Sequence, residues 1–221
     1  MKKEDISLQK FPLTRMSLLA CLCLSTLIFI ILAYIFHSSF FLLDFAVTDF
    51  FFSIRTSFGV HFFTFITTLA SPAVGILIMG MILGIWAQQK HWLRILITTS
   101  GFLATGSVTA VLKLLFHRSR PDMLFRAVIE DSYSLPSGHA TTAAFVFGFI
   151  GYLTLLHIHS NKIRALIICL IIIIVALIDL SRVYLGVHYL SDVLAGNAIG
   201  FLGLFLTIHT LQTVRLKTER K

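Results

Sequence analysis

The stretch IRALIICLIIIIVALIDLSRVYLGVHYLSD, residues 163–192, decides the fold. Residues 163–180 are apolar apart from Arg164 and Asp179, close to the roughly 20 residues that an α-helix needs to cross a bilayer. Directly behind this run stand Ser181, Arg182, His188 and Asp192. Ionisable side chains at membrane depth are expensive and tend to mark function.

Composition extends that reading to the whole chain. Of 221 residues, 57% are hydrophobic and 13% charged, with a mean hydropathy of +0.91. Soluble domains carry about 25% charged residues, so this balance excludes one. Apolar runs recur at 17–36, 62–87, 95–116, 140–156, 163–180 and 190–212. They predict an all-α integral membrane bundle of six helices, folded as one transmembrane domain over residues 1–221. Run 17–36 has spanning length and no small-residue exit site, so it is expected as a retained first helix. Segment 37–61 mixes Phe40, Phe41, Phe50, Phe51 and Phe52 with Asp44, Asp49 and Arg55. That mixture predicts an interfacial helical segment, with a short re-entrant segment as the alternative. Cys21, Cys23 and Cys169 fall inside apolar runs, in neither a disulfide nor a metal-ligand pattern.

The net charge of +8 raises the question of nucleic acid, and its distribution answers it. Twelve cations fall at the N-terminus (Lys2, Lys3, Lys10, Arg15), in two connections (Lys90, Arg94; Lys162, Arg164) and in the tail (Arg215, Lys217, Arg220, Lys221). The other six are Arg55, Lys113, Arg118, Arg120, Arg126 and Arg182. The asymmetry follows the positive-inside rule and predicts both termini in the cytoplasm of a plasma-membrane protein. With six spans, connections 117–139 and 181–189 then share the outer side.

Three clusters should meet there. His188 and Asp192 are four apart, so a carboxylate can hold one imidazole nitrogen and leave the other as a directed lone pair, as a nucleophile needs. A plain helix-end histidine bonded to a neighbouring acid is the blander alternative. Gly186 marks a turn, with Arg182 leaving one helix and His188 opening the next. Asp179 is placed to pair with a nearby arginine. Pro136, Ser137, Gly138 and His139 form a turn into a helix, with Ser137 as N-cap and free N–H groups suited to phosphate. Lys113, Arg118 and Arg120 close the preceding span, which Pro121 is expected to end. Arginine suits bidentate contact with phosphate oxygens and lysine supplies a point charge. Neither a carboxylate set for magnesium nor a cysteine–histidine set for zinc accompanies them, so no metal or other cofactor is expected.

The ordered set Lys113-x6-Arg120-Pro121, Pro136-Ser137-Gly138-His139 and Ser181-Arg182-x5-His188-x3-Asp192 resembles the signature of the type 2 phosphatidic acid phosphatase superfamily. That family includes membrane lipid phosphatases, soluble acid phosphatases and vanadium haloperoxidases. The resemblance covers roughly residues 62–212 and favours the six-span bacterial lipid-phosphatase branch. It implies that His188 attacks phosphorus, that Asp192 orients it, and that His139 protonates the leaving oxygen and then activates water. It implies that Lys113, Arg120, Arg182, Ser137 and Gly138 hold the phosphoryl oxygens. Arg118 lies outside the strict pattern and is placed as a supporting or headgroup contact. The implied substrates are lipid phosphates such as undecaprenyl diphosphate, phosphatidylglycerophosphate or phosphatidic acid, met at the outer face. Transfer to an acceptor lipid, or headgroup binding without catalysis, are the alternatives. The expected partners are the bilayer and that lipid, without nucleic acid or an obligate protein partner.

Overall fold

The computed structural model describes Leu24, Leu27, Ile28 and residues 40–218. Most of run 17–36, with Cys21, Cys23 and the N-terminal cations, lies outside the described residues. Those described form seven α-helices: α1 (Phe40–Ser53), α2 (Ser57–Thr68), α3 (Pro72–Gln88), α4 (Trp92–Phe116), α5 (Gly138–His157), α6 (Asn161–Tyr184) and α7 (Leu190–Thr218). A single 3-10 turn, Met123–Phe125, lies between α4 and α5, and no strand occurs among the described residues. Five segments have the length and apolarity of membrane spans: α2 with α3, then α4, α5, α6 and α7.

The run expected at 62–87 is corrected in two respects. Its helix begins at Ser57, where Thr56 Oγ1 accepts from Gly59 N at 3.0 Å. It then breaks at Leu69–Ser71, because Pro72 has no N–H and its ring blocks the preceding turn. Ser71 restarts it as an N-cap, its Oγ accepting from Val74 N at 3.3 Å. The end of α4 is also corrected. The helix stops at Phe116, with His117 left-handed at φ 46°, so Arg118 and Arg120 lie in irregular chain well before Pro121 can act.

Helix α1 is inside out by the standard of a soluble protein. Asp44 and Thr48 are buried while Leu42, Leu43, Phe45, Phe50 and Phe52 are exposed. An apolar outer face suits lipid contact, and the polar inner face delivers Asp44 to the bundle.

Helix α5 is the central element. Phe145, Val146 and Phe149 are fully enclosed and pack with Met79, Trp86, Tyr152, Leu204 and Ile208. Lipid removes the hydrophobic drive between helices, so close van der Waals packing must hold them. Small residues supply it: a Cβ on Gly196 would fall 2.4 Å from Ser137 O, and one on Gly200 2.6 Å from Thr141 O. The pair Gly80 and Gly84, which stands out in the sequence, faces open space instead.

An apolar cavity of about 530 Å³ lies between α4 and α7, from Val108 and Ile199 to Leu96 and Thr210. It shares Leu27 and Ile199 with a small pocket walled by Leu135 and Pro136. Chain order sets what lies at the other end. The C-termini of α4 and α6 and the N-termini of α5 and α7 face the same way, so residues 117–137 and 185–189 close one end of the bundle together.

Candidate active site

At that end Gly186, at φ +68°, turns the chain from α6 toward α7. A side chain there would meet Phe125 O at 1.8 Å, so only glycine fits. The turn is held by Arg55, whose guanidinium donates to Tyr184 O and Phe125 O. Beyond it His188 is 1% exposed, two residues before α7, and Asp192 is wholly buried in the first turn of α7.

Asp192 is richly satisfied, as a buried carboxylate must be. Its Oδ1 accepts from Arg118 at 2.6 Å, and its Oδ2 accepts from Ser134 Oγ at 2.5 Å and Tyr189 N at 2.9 Å. His188 Nδ1 lies 3.4 Å from Ser134 Oγ and 3.5 Å from the same Oδ2. The other ring nitrogen, Nε2, lies 3.2 Å from Arg120 Nη1. A guanidinium can only donate, so Nε2 is the acceptor and the ring proton belongs on Nδ1. This tautomer leaves a lone pair on Nε2, pointed at the cations. Burial, with the Arg182 charge added, outweighs the Asp192 hydrogen bond and holds the imidazole well below its usual range, at about 3. His188 is therefore neutral at physiological pH.

The charges of Arg120 and Arg182 both act on this imidazole. Arg120 is steadied by Ser132 O at 2.6 Å, Ser132 Oγ at 3.0 Å and Val187 O at 2.7 Å. Arg182, 1% exposed in the last turn of α6, donates to Thr67 Oγ1 at 2.8 Å and Glu130 Oε1 at 2.6 Å. Among the described residues its Nε–H is buried without a partner, a donor left over for a ligand. Lys113, in the last turn of α4, donates to Tyr133 O. The charges of Lys113, Arg120, Arg182 and Glu130 all act on His139 at the start of α5. Ser137 caps that helix, and the space where a Gly138 side chain would project is open to 4 Å. The first N–H groups of this helix are of the kind that binds phosphate oxygens.

All eight residues of the expected catalytic and phosphate-binding set meet at this end. Arg118 joins them as a strut: it pairs with Asp192 and with Asp44 at 2.8 Å and stacks over Tyr189 at 4.3 Å. Asp179 is a correction. It accepts from Asn197 Nδ2 at 2.7 Å and meets no arginine. Among the described residues no three His, Cys, Asp or Glu side chains gather as metal ligands.

Sequence reasoning missed Asp44, Glu130, Ser134, Ser191 and Thr67. Asp44 accepts from Ser191 N at 2.9 Å and Ser191 Oγ at 2.5 Å across 147 positions, which no local spacing announces. Ser134 had a signal, lying three residues before Ser137 in the same turn.

Residues 92–216 match the family profile described as the PAP2 superfamily. The chain belongs to the PAP2 superfamily. This PAP2 chain is 36% identical over 124 residues to phosphatidylglycerophosphatase B of Bacillus subtilis. It is 30% identical over 132 residues to decaprenylphosphoryl-5-phosphoribose phosphatase of Mycobacterium tuberculosis. These matches take in 56% and 58% of this chain, and span 60% and 66% of the two relatives' lengths. Its fold superposes on the crystal structure of the transmembrane PAP2 type phosphatidylglycerolphosphate phosphatase from Bacillus subtilis. The TM-score is 0.72 at 29% identity, over 87% of this chain and 96% of that one. Aquifex aeolicus LpxE shares the fold at 23% identity, with a TM-score of 0.56 over 76% of this chain and 94% of that one. The family and the helical bundle agree with what the sequence led us to expect.

Proposed function

We propose that this chain hydrolyses a lipid phosphomonoester or diphosphate through a phosphohistidine intermediate, acting as one transmembrane domain. The observation that carries the reading is the His188 tautomer: neutral, with Nδ1–H toward Asp192 and the Nε2 lone pair amid Arg120 and its neighbouring cations.

Attack by Nε2 forms a phosphorus–nitrogen bond as the bond from phosphorus to the lipid oxygen breaks. His139 gives its proton to that oxygen, then takes one from water as the water attacks the phosphohistidine. The phosphorus–nitrogen bond breaks, inorganic phosphate leaves, and His188 is restored. Asp192 stabilises the positive ring formed meanwhile. Lys113, Arg120 and Arg182, with the N–H groups around Ser137 and Gly138, take up charge on the transferring oxygens, the main way such reactions are accelerated. Those cations fill the place a metal ion would take, so the activity is metal-independent.

The substrate class follows from position. A phosphate at headgroup level meets the cations while its chains remain in the bilayer, and the apolar cavity between α4 and α7 offers room for a chain. The two curated relatives are named for phosphates carried on glycerol and on prenyl lipids, which supports the same class here. The basic connections Lys90–Arg94 and Lys162–Arg164 support a site at the extracytoplasmic face of the plasma membrane by the positive-inside rule, with α1 lying along that interface.

Purified full-length protein offered glycerol and isoprenyl lipid phosphates should release inorganic phosphate from at least one, and rapid acid-free quenching should trap label on His188. Turnover should be equal with and without EDTA. A panel left wholly intact sinks the hydrolase, and EDTA inhibition reversed by magnesium sinks the metal-free mechanism.

A further inference from the structure

Among the described residues, Glu130 is the carboxylate paired with both Arg182 and Arg120. Asp44 and Asp192 are spent on Arg118, Ser191 and the His188 side of the cavity. Glu130 Oε1 accepts from Arg182 Nη2 at 2.6 Å, and Oε2 stands 3.6 Å from Arg120 Nη2. Its charge also acts on Lys113 and His139. A carboxylate so placed stands where a phosphoryl group bound by the same arginines would put its oxygens.

The occupation is geometrically incomplete. Arg182 presents two parallel donors, Nε and Nη2, along one edge, and Glu130 engages Nη2 while Nε stays unpartnered. A tetrahedral phosphate can take both donors of that edge, which a guanidinium favours. The chain carrying Glu130 is anchored by Ala127 N on Leu185 O, by Ser132 O and Tyr133 O, which accept from Arg120 and Lys113, and by Ser134 N on Arg118 O, while residues 128–131 make no backbone–backbone hydrogen bond among the described residues. The Glu130 side chain is 28% exposed, and its neighbour Ile129 is 81% exposed. Burial alone would push the Glu130 carboxyl up, yet the Arg182 and Arg120 charges outweigh it and keep it ionised.

We propose that Glu130 is a displaceable internal anion: it occupies the Arg182–Arg120 pair until a phosphoryl group drives it out, and so sets the site's affinity for phosphate. This rests on the reading of those arginines as the phosphoryl site. With Glu130 seated the site is closed to anions, so the observed affinity is the intrinsic one reduced by the fraction of molecules in which it is withdrawn. Return of the carboxylate likewise hastens loss of inorganic phosphate after each turnover.

The test is calorimetric binding of orthovanadate to the full-length protein in detergent. E130Q keeps the size of the side chain and removes its charge, and E130A removes the plug entirely. Both should bind vanadate about tenfold or more tightly than the original protein. A residue that merely held Arg182 in place would weaken binding on removal, so the direction decides. Equal or weaker binding in both variants, with the original protein still binding, overturns the role of Glu130 and leaves the phosphoryl site standing. Absence of binding in all three proteins, or binding undiminished by R182A, overturns the site itself.

Discussion

At the scale of single residues, the His188–Asp192 pair carries the chemistry. Replacing His188 by alanine removes the nucleophile and should cost on the order of a millionfold in turnover, as in comparable constellations. Asp192→Asn should cost about 10⁴-fold, because an amide no longer favours the tautomer with the proton on Nδ1. Near-normal rates of phosphate release from D192N would show that Arg120 alone orients the ring. The same histidine makes stability depend on pH. Its folded value is about 3 against an unfolded 6.5. Between these values the unfolded chain binds a proton that the folded chain refuses. This contribution is complete above about pH 6.5 and is lost as pH falls toward 3. Thermal unfolding of H188N in detergent should show a flatter slope across that window, and an unchanged slope would assign the acid sensitivity elsewhere.

At the scale of elements, helix contact through glycine is the point of failure. A methyl group at Gly196 or Gly200 meets backbone oxygen inside 3.0 Å, so G200A should destabilise the bundle by about 1–3 kcal/mol. G80A, whose Cβ meets nothing, should be neutral or slightly stabilising through helix propensity, by up to about 1 kcal/mol. Denaturation midpoints of the two variants compared side by side check this, and equal losses would show that α5 and α7 do not need the close approach. Spacing alone suggests Gly80 and Gly84 as strongly as Gly196 and Gly200, since both pairs stand four apart. Which pair meets a neighbour depends on how the helices are arranged. The break at Leu69–Ser71 was legible in Pro72, whereas the early start at Ser57 was hidden by the polar character of residues 57–61.

At the scale of the whole molecule, sidedness is the open prediction. In right-side-out vesicles, a cysteine at Met123, exposed in the loop beside the site, should react with an impermeant maleimide. A cysteine at Lys90, in the opposite connection, should react only after permeabilisation. Reversed labelling would place the site on the cytoplasmic side. The topology behind this prediction rests on six apolar runs and the basic connections between them; the first run lies almost wholly outside the described residues.

The membrane class, the ends of the later apolar runs to within several residues and the spacing inside the three clusters were set by sequence alone. Helix periodicity, hydropathy and short-range spacing are local properties, and each cluster is local. Only the tertiary structure brought Asp44 to Arg118, Glu130 to Arg182 and Thr67 into the same cavity. These partners come from distant elements, and buried charges must find compensation wherever packing delivers it. Nothing in the spacing of a chain encodes which carboxylate that will be.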